Sequence, residues 1–477
     1  MTELDYKKLN FKAGLEIHQQ LDTKKLFCNC PSLLRQDEPD YVIKRKLHAV
    51  AGESGEVDVA ARHEVSKNKE FVYQGYDTTC LVELDEEPPH EINQEALKIV
   101  LQIAFLFNMK IIPISQIMRK TVIDGSNTSG FQRTVMIARD GWIETSLGRV
   151  EIDALYLEED AARIVEKGEK QNTFRLDRLG IPLVEIATAP DFKNAEHLKE
   201  GALQIGKILR SAKVKRGLGT IRQDVNISIE GHPRVEIKGF QNPKIMIKTI
   251  ETEVKRQIKE GAKGKSEVRN SLVDGTTKFL RPMPGAARMY PETDLPLLKI
   301  HRDLINETKK DLPKLKDEIE GELKAEGLSE EMIRLLFKQN KVEEFKEMLE
   351  IVRNVKLISK VLLIFPKEIA AKEKISLEKT NKIIEDEVPS ILKLVKNGKI
   401  LESQIKDILS RLVKGEGFEK AIKFEEVNVN EIEEEIRKII KEKPGLSEKA
   451  YMGLVMKELH GKISGKDVME IIKKFVK

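Results

Sequence analysis

The stretch that most restricts the fold is Gly219-Thr220-Ile221-Arg222-Gln223-Asp224-Val225-Asn226-Ile227-Ser228-Ile229, followed by Arg234-Val235-Glu236-Ile237-Lys238. Ile221, Val225, Ile227 and Ile229 share one parity, as residues on one face of a strand do. Arg222, Asp224, Asn226 and Ser228 share the other. In the second run Val235 and Ile237 alternate with Arg234, Glu236 and Lys238, and Glu230-Gly231-His232-Pro233 has the turn chemistry to close a hairpin. One face of such a hairpin must rest on a core, which calls for an antiparallel or mixed sheet. An ordinary hairpin simply wets its other face. Here that face carries carboxylates, an amide and cations with no long flexible filler, and we read it as a site.

A chain of 477 residues holds two to four domains, each with its own core. Hydrophobic content of 40% with 34% charged residues suits a soluble cytoplasmic protein. The net charge of +4 is small against 83 basic and 79 acidic residues, so any nucleic-acid contact must come from local patches. Three Cys make no disulfide framework and point to a reducing compartment. No apolar run reaches the ~18 residues of a membrane span; the nearest, Leu97 to Phe107, is interrupted by Lys98 and Gln102. Met1 to Asn10 is too charged for a secretory signal, and no membrane partner is expected.

Along the chain, Leu15 and Ile17 alternate with Glu16 and His18, which therefore project from one face of a strand. Cys28-Asn29-Cys30 has a poor zinc spacing without a second pair, and the third Cys is the distant Cys80, so no zinc is expected. Residues 36–93 alternate short strand-like runs, Cys80 to Glu83 among them, with polar turns. Glu95 to Met109 reads as a buried helix capped by Asn93. Asp124 to Arg133 is a polar loop long enough to bind a ligand. Val150 to Leu157 is a strand ending in Glu158-Glu159-Asp160, which opens a charged loop and could offer oxygens to Mg²⁺. Glu185 interrupts an apolar strand and needs a cation there. His197 to Ser211 and Met246 to Lys259 are helical. Arg281 to Asp294 is too proline-rich for a regular element.

From about Leu295 strand signals vanish, and helical periodicity runs to the end, broken at Pro366, Gly398, Gly415-Glu416-Gly417 and Pro444-Gly445. The last helices carry Lys457, Lys466, Lys473 and Lys474, a candidate RNA contact. The expected architecture is α+β: a catalytic cradle with a large antiparallel or mixed β-sheet over residues 1–295, an all-α domain over 296–427 and a small basic helical tail over 428–477. Glu16, His18, Glu158, Glu159, Glu185, Asp224, Asn226, Glu236 and Lys238 come from several strands of that sheet. Oxygen-rich ligands with one imidazole suit Mg²⁺ or Mn²⁺, and beside Arg and Lys they are parts for handling nucleotide phosphates. There is no Gly-x4-Gly-Lys-Ser/Thr loop, so a nucleotide would rest on the sheet itself, as in carboxylate–amine ligases of the glutamine synthetase kind. Nothing suggests a group that releases ammonia from an amide donor.

Gly14 to His18, Leu26 to Cys30, Leu157 to Ala161, Arg178-x-Gly180-x-Pro182-Leu183-x-Glu185-Ile186 and Ile221 to Ser228 resemble, in order and spacing, the B/E subunit family of tRNA-dependent amidotransferases. Met452 to Lys457 with Gly461-Lys462 resembles that family's helical tail. Gln19-Gln20, Cys80 to Pro89 and Arg281 to Asp294 favour the archaeal E subunit over the bacterial B subunit. The resemblance implies ATP- and Mg²⁺-dependent phosphorylation of the side-chain carboxylate of Glu on tRNA(Gln). Ammonia from a partner amidase, an asparaginase-like D subunit or an A and C pair, then gives Gln-tRNA(Gln). It further implies His18, Glu158 or Glu159, and Glu185 as metal ligands, and Glu16, Asp224 and Glu236 as further site acids. Arg222 and Lys238 would contact phosphate, with Asn226 and Ser228 beside them at the nucleotide. The alternatives are a B-type subunit acting also on Asp-tRNA(Asn), a ligase that uses no tRNA, and a non-catalytic tRNA-binding subunit. One departure stands out: the aspartyl-tRNA-synthetase-like insert usual in the E subunit is replaced by a short Lys/Gly-rich joint near Gly261 to Gly264.

Overall fold

The computed structural model describes residues 4–475 apart from 52–54, 218, 241–242, 286–287, 340, 424–428 and 459–464. Two compact units divide the chain, Met1–Lys316 and Asp317–Lys477. In chain order the strands of the first are β1 (Lys12–Gln20), β2 (Tyr41–Arg45), β3 (Glu70–Gly75), β4 (Lys110–Ile111), β5 (Ile114–Ser115), β6 (Met118–Thr121), β7 (Phe131–Thr145), β8 (Gly148–Glu159), β9 (Arg163–Lys167), β10 (Gln171–Arg175), β11 (Pro182–Thr188), β12 (Ile221–Ser228), β13 (Val235–Lys238), β14 (Glu267–Ser271), β15 (Thr277–Pro282), β16 (Met289–Pro291) and β17 (Leu298–Lys299). Its helices are α1 (Val59–Val65), α2 (Gln94–Leu106), α3 (Ala195–Leu209), α4 (Pro243–Glu260) and α5 (Arg302–Lys310).

The main sheet runs β15-β14-β13-β12-β1-β11-β8-β7-β6-β16. Its pairings are antiparallel except for β13 with β14. Period-2 alternation sorts the residues of this sheet between two faces. Leu15, Ile17, Leu155, Leu157, Val184, Ile186, Val225, Ile227, Val235 and Ile237 are buried in one core with the apolar residues of α2, α3 and α4. The opposite face keeps the polar parity. A smaller sheet, β2-β3-β10-β9, has its own core around Phe71, Tyr73, Phe174 and Leu176.

The main sheet must curl. Its edge strands β15 and β16 are nine strand spacings apart along the sheet, about 43 Å at ~4.8 Å each, whereas the seven steps from Pro282 to Met289 reach at most ~25 Å. Arg288, on the connection between those edges, is within electrostatic reach of Glu158 on β8 and Glu236 on β13, so the connection crosses the polar face and that face is the concave one.

Several local readings change. The proline-rich run contains parts of two strands, because β15 and β16 are the sheet edges, where proline costs no ladder bond. Glu158 and Glu159 complete β8 instead of opening a loop. Phe131 to Arg133 begin β7, so the polar loop is shorter than expected. Cys80 to Glu83 is a turn, tied by Cys80 N donating to Glu83 Oε2 at 2.9 Å. Helix α2 is capped by Asn93 and stops at Leu106, two residues before Asn108 takes φ +57°. Strand structure does not end at Leu295: β17 pairs with β5, and Leu298 and Ile300 join the first core. Two residues are too few to carry a period.

In the second unit, Leu323 to Ala421 contribute one helical core, and Ile436, Ile439, Tyr451, Val455, Val468, Ile471 and Ile472 another. Pro366 stands at a helix junction, just after the π-helical turn Lys360–Ile364. It lies in the first turn of Phe365–Glu373, where its missing N–H is no loss. Among the described residues no helix is long and apolar enough to cross a membrane.

At Gly141 the long strand β7 passes close behind α2. A Cβ there would lie 2.3 Å from Met109 Cγ and 2.6 Å from the Phe107 carbonyl oxygen. Gly141→Ala should lower stability by about 1–3 kcal/mol, read as a lower denaturant midpoint with an unchanged slope.

Candidate functional site

The concave face collects its polar side chains by register. His18 on β1 stands opposite Glu185 on β11 and Arg222 on β12, and Glu16 stands opposite Asp224. Glu236 on β13 stands opposite Asn226, and Glu185 is paired with Tyr156, two residues before Glu158 on β8. His18 Nε2 lies 3.0 Å from Glu185 Oε2 and 3.7 Å from Glu16 Oε1. Lys120 Nζ, from the short strand β6, donates to Glu158 Oε1 at 2.6 Å and Glu185 Oε2 at 3.4 Å. At the other end Lys238 Nζ donates to Asp224 Oδ2 at 2.7 Å and pairs with Glu236. Arg222 donates to Asp160 Oδ1 at 2.7 Å, and Gln20 Nε2 to Asp160 Oδ2 at 2.6 Å.

Two ligand sets emerge: Glu16, His18 and Glu185, and Glu16, Asp224 and Glu236, with donor atoms within 4.8 Å of one another in each. Glu16 belongs to both. Carboxylate oxygens with one imidazole fit a hard divalent cation, and the surplus of buried acid over Lys120, Lys238 and His18 would be relieved by one. The strain of that surplus is visible in the titration of the acids. Burial and then the Glu185 charge push Glu16 up to about 7. Glu158 is raised by burial and by Glu185. Burial also acts to raise Glu185, but the Lys120 charge and the His18 hydrogen bond hold it well below the usual carboxylate range. For His18, Lys120 and Lys238 burial favours the neutral form, and the facing carboxylates outweigh it and raise all three.

The sequence-predicted residues divide accordingly. His18, Glu16, Glu185, Asp224, Glu236 and Lys238 come together, joined by Glu158 through Lys120. Adjacent residues on a strand point to opposite faces, and Glu159 points away: it accepts from Arg133 N at 3.1 Å, within a buried network that also pairs Arg133 with Glu292 at 2.7 Å. Arg222 and Lys238 already hold carboxylate partners. Asn226 shares the polar face next to Glu236, whereas Ser228 stands at the strand end opposite Lys12. In the tail Lys473 is exposed and Lys474 pairs with Glu433 at 3.0 Å. The side chains of Lys457 and Lys466, and Gly461 and Lys462, lie outside the described residues. Two residues carry no sequence signal of their place here. Lys120 sits in a four-residue strand too short to show alternation, and Asp160 reads only as the end of an acid run.

The cysteines also meet. Cys80, which the sequence spacing sets apart from Cys28 and Cys30, lies with them and Glu83 in one group whose ligand atoms are within 4.8 Å of one another. Cys80 Sγ donates to Glu83 Oε2 at 3.0 Å and Cys28 Sγ to Glu83 Oε1 at 3.3 Å. The side-chain contact with Cys28 lowers Cys30 to about 7. Fully buried Lys25 pairs with Glu83 Oε1 at 2.6 Å, so that carboxylate already has its cation.

Residues 11–306 match the family model described as the GatB/GatE catalytic domain. The glutamyl-tRNA(Gln) amidotransferase E subunit of Methanocaldococcus jannaschii is 37% identical over 631 aligned positions that cover 100% of both chains. That alignment is longer than the 477 residues here, so the relative contains stretches without a counterpart. The protein of the same name from Methanothermobacter thermautotrophicus is 36% identical, over 75% of this chain and 80% of that one. The one from Methanococcus maripaludis strain C7 is 49% identical over 62% of this chain, a stretch spanning only 47% of that relative. The chain belongs to the GatB/GatE family of tRNA-dependent amidotransferase subunits.

Proposed function

We propose that the concave face phosphorylates the side-chain carboxylate of Glu carried on tRNA(Gln), using ATP, and then directs ammonia onto the product. The observation that carries this reading is the convergence of Glu16, His18, Glu185, Asp224 and Glu236 from four strands onto one open sheet surface. A carboxylate is a poor acyl donor because oxide does not leave. When a carboxylate oxygen attacks the terminal phosphorus, the bond to the bridging oxygen breaks and the electron pair departs with the nucleoside diphosphate. Ammonia then attacks the acyl carbon, phosphate leaves, and a proton is lost to give the amide.

Glu16, His18, Glu158, Glu185, Asp224 and Glu236 would hold Mg²⁺, which when bound neutralises charge on the phosphoryl oxygens. Lys120 pairs with Glu158 and Glu185 and orients them, and Lys238 does the same for Asp224 and Glu236. Lys238 and Arg222 face the nucleotide phosphates, with Asn226 of β12 next to Glu236 and Ser228 further along that strand towards its end. An acyl phosphate hydrolyses readily, so the concave face must keep water from it. Gln132, donating to Glu158 Oε2 at 3.1 Å, is a candidate to line the ammonia route. The ammonia comes from a partner amidase, an asparaginase-like D subunit or an A and C pair, and the assembly works in the cytoplasm. Residues 428–477 serve as a tRNA contact through Lys457, Lys466, Lys473 and Lys474.

Glu185→Ala should reduce ATP-dependent phosphorylation on the order of 100-fold or more while leaving tRNA affinity unchanged; equal loss of both would point to a structural role. Deleting 428–477 should weaken tRNA binding about 10-fold, with a shallower salt dependence and an intact ATP site. The tail's core is separate from the preceding helical core, so the remainder should fold.

Glu16 supplies a pH test. Its folded-state pKa of about 7 lies above its ordinary value, so the folded protein binds that proton more tightly and metal-free stability falls as pH rises from ~4.5 to ~7. Glu16→Gln should therefore melt higher than wild type at pH 8, by on the order of 1–3 kcal/mol, and show no advantage near pH 4. It should also lose the stabilisation that Mn²⁺ or Mg²⁺ confers on wild type.

A further inference from the structure

The cations of the acid row are already occupied. Lys120, Lys238 and Arg222 each hold a carboxylate. Arg281 and Arg288 differ. Arg281 is the penultimate residue of β15 at one sheet edge and Arg288 precedes β16 at the other, so the curl that joins the edges brings the two guanidinium groups within electrostatic reach of one another. Among the described residues neither forms an ion pair. Arg281 Nε is closed off from solvent without a hydrogen-bond partner. Arg288 Nε donates to the Thr121 carbonyl at 3.1 Å, on the backbone next to Lys120, which leaves the outer edge of its guanidinium unused.

The acids around Arg288 are committed elsewhere. Its charge faces Arg281, Asp58, Glu158 and Glu236. Asp58 Oδ1 caps α1 through Ala60 N and Ala61 N, and its Oδ2 accepts from Gly285 N at 2.8 Å. Glu158 and Glu236 hold Lys120 and Lys238. Two half-buried guanidinium groups beside each other are unfavourable unless an anion joins them. Burial and the Arg281 charge both lower the pKa of Arg288, as that lack predicts. The planar donor fork of arginine matches a tetrahedral phosphoryl group better than a spherical ion.

We infer that Arg281 and Arg288 together bind the phosphoryl group in transfer, gripping its non-bridging oxygens where the sheet edges close over Glu158 and Glu236. This rests on the kinase reading above. The nucleotide then lies with its terminal phosphorus between these arginines and the two acid sets, and its diphosphate towards Lys238 and Arg222. Cationic groups on the oxygens of the migrating phosphoryl stabilise the charge spread over them as the bond to the diphosphate breaks.

The test compares binding of a non-hydrolysable triphosphate analogue of ATP with binding of ADP, both with Mg²⁺, to the full chain by calorimetry. Arg281→Met and Arg288→Met should each weaken the triphosphate on the order of 10- to 100-fold and change ADP affinity by less than ~2-fold. Arg281→Lys and Arg288→Lys, which keep the charge and most of the bulk, should recover part of the loss; they stand in for any methionine variant whose thermal melt shows misfolding. Equal weakening of both nucleotides, or no change in either, overturns the assignment. So does an unchanged triphosphate affinity with a raised KM for the aminoacyl-tRNA, which would give the arginines to the substrate carboxylate. Wild-type protein that binds neither nucleotide overturns the kinase reading itself, and this inference with it.

Discussion

Like charges forced together on a sheet are the constraint from which the rest of the cradle follows. Glu16, Glu158, Glu185, Asp224 and Glu236 occupy neighbouring positions on one face, largely shielded from water, where carboxylate repulsion is far stronger than at a wet surface. The fold tolerates this because Lys120 and Lys238 stand at the two ends of the row and His18 at its centre. Even so the compensation is incomplete, and Glu16 is left with a pKa of about 7. A scaffold selected only for stability would have no reason to keep that strain.

The supporting architecture explains how such a row can be held still. Each acid sits on a strand whose alternate residues are locked into a core with α2, α3 and α4. Side chains on rigid, hydrogen-bonded strands lose little freedom when they bind, which favours a preorganised site. Curvature adds the second requirement. A flat sheet would present the acids to bulk water, whereas the curled one turns them inward and brings its two edges near each other. The proline-bearing edge strands then place Arg281 and Arg288 beside groups that are distant in sequence.

Family membership and local chemistry agree over the cradle, which departs from its relatives at one joint within it. The matched domain, residues 11–306, contains both acid sets and the thiol group. The alignment with the Methanocaldococcus protein is much longer than this chain, consistent with the short joint near Gly261 to Gly264 in place of an insert. That joint is only a single turn of 3-10 helix, Gly261–Lys263, between α4 and β14. The strands on either side of it still pair, β13 with β14 in parallel, so the sheet is complete without an insert.

Alternation of apolar and polar residues in Gly14 to His18, Ile221 to Ser228 and Val235 to Lys238 determined by itself that these runs are strands, and which of their residues share a face. It did so because a strand's period of two depends on backbone geometry alone. The same rule carried Glu16, His18, Asp224 and Glu236 to one surface. What it could not reach was register between strands, curvature, and contacts made by very short elements. Lys120 lay in a four-residue strand, Arg288 gained its surroundings only from the closure of the sheet edges, and Cys80 met Cys28 through a turn about fifty residues away. Glu158 and Glu159 were inseparable until the ladder of β8 with β11 gave each a face. Those facts depend on where distant segments pack, and packing is decided by the whole chain's burial of apolar surface, of which no local pattern keeps a record.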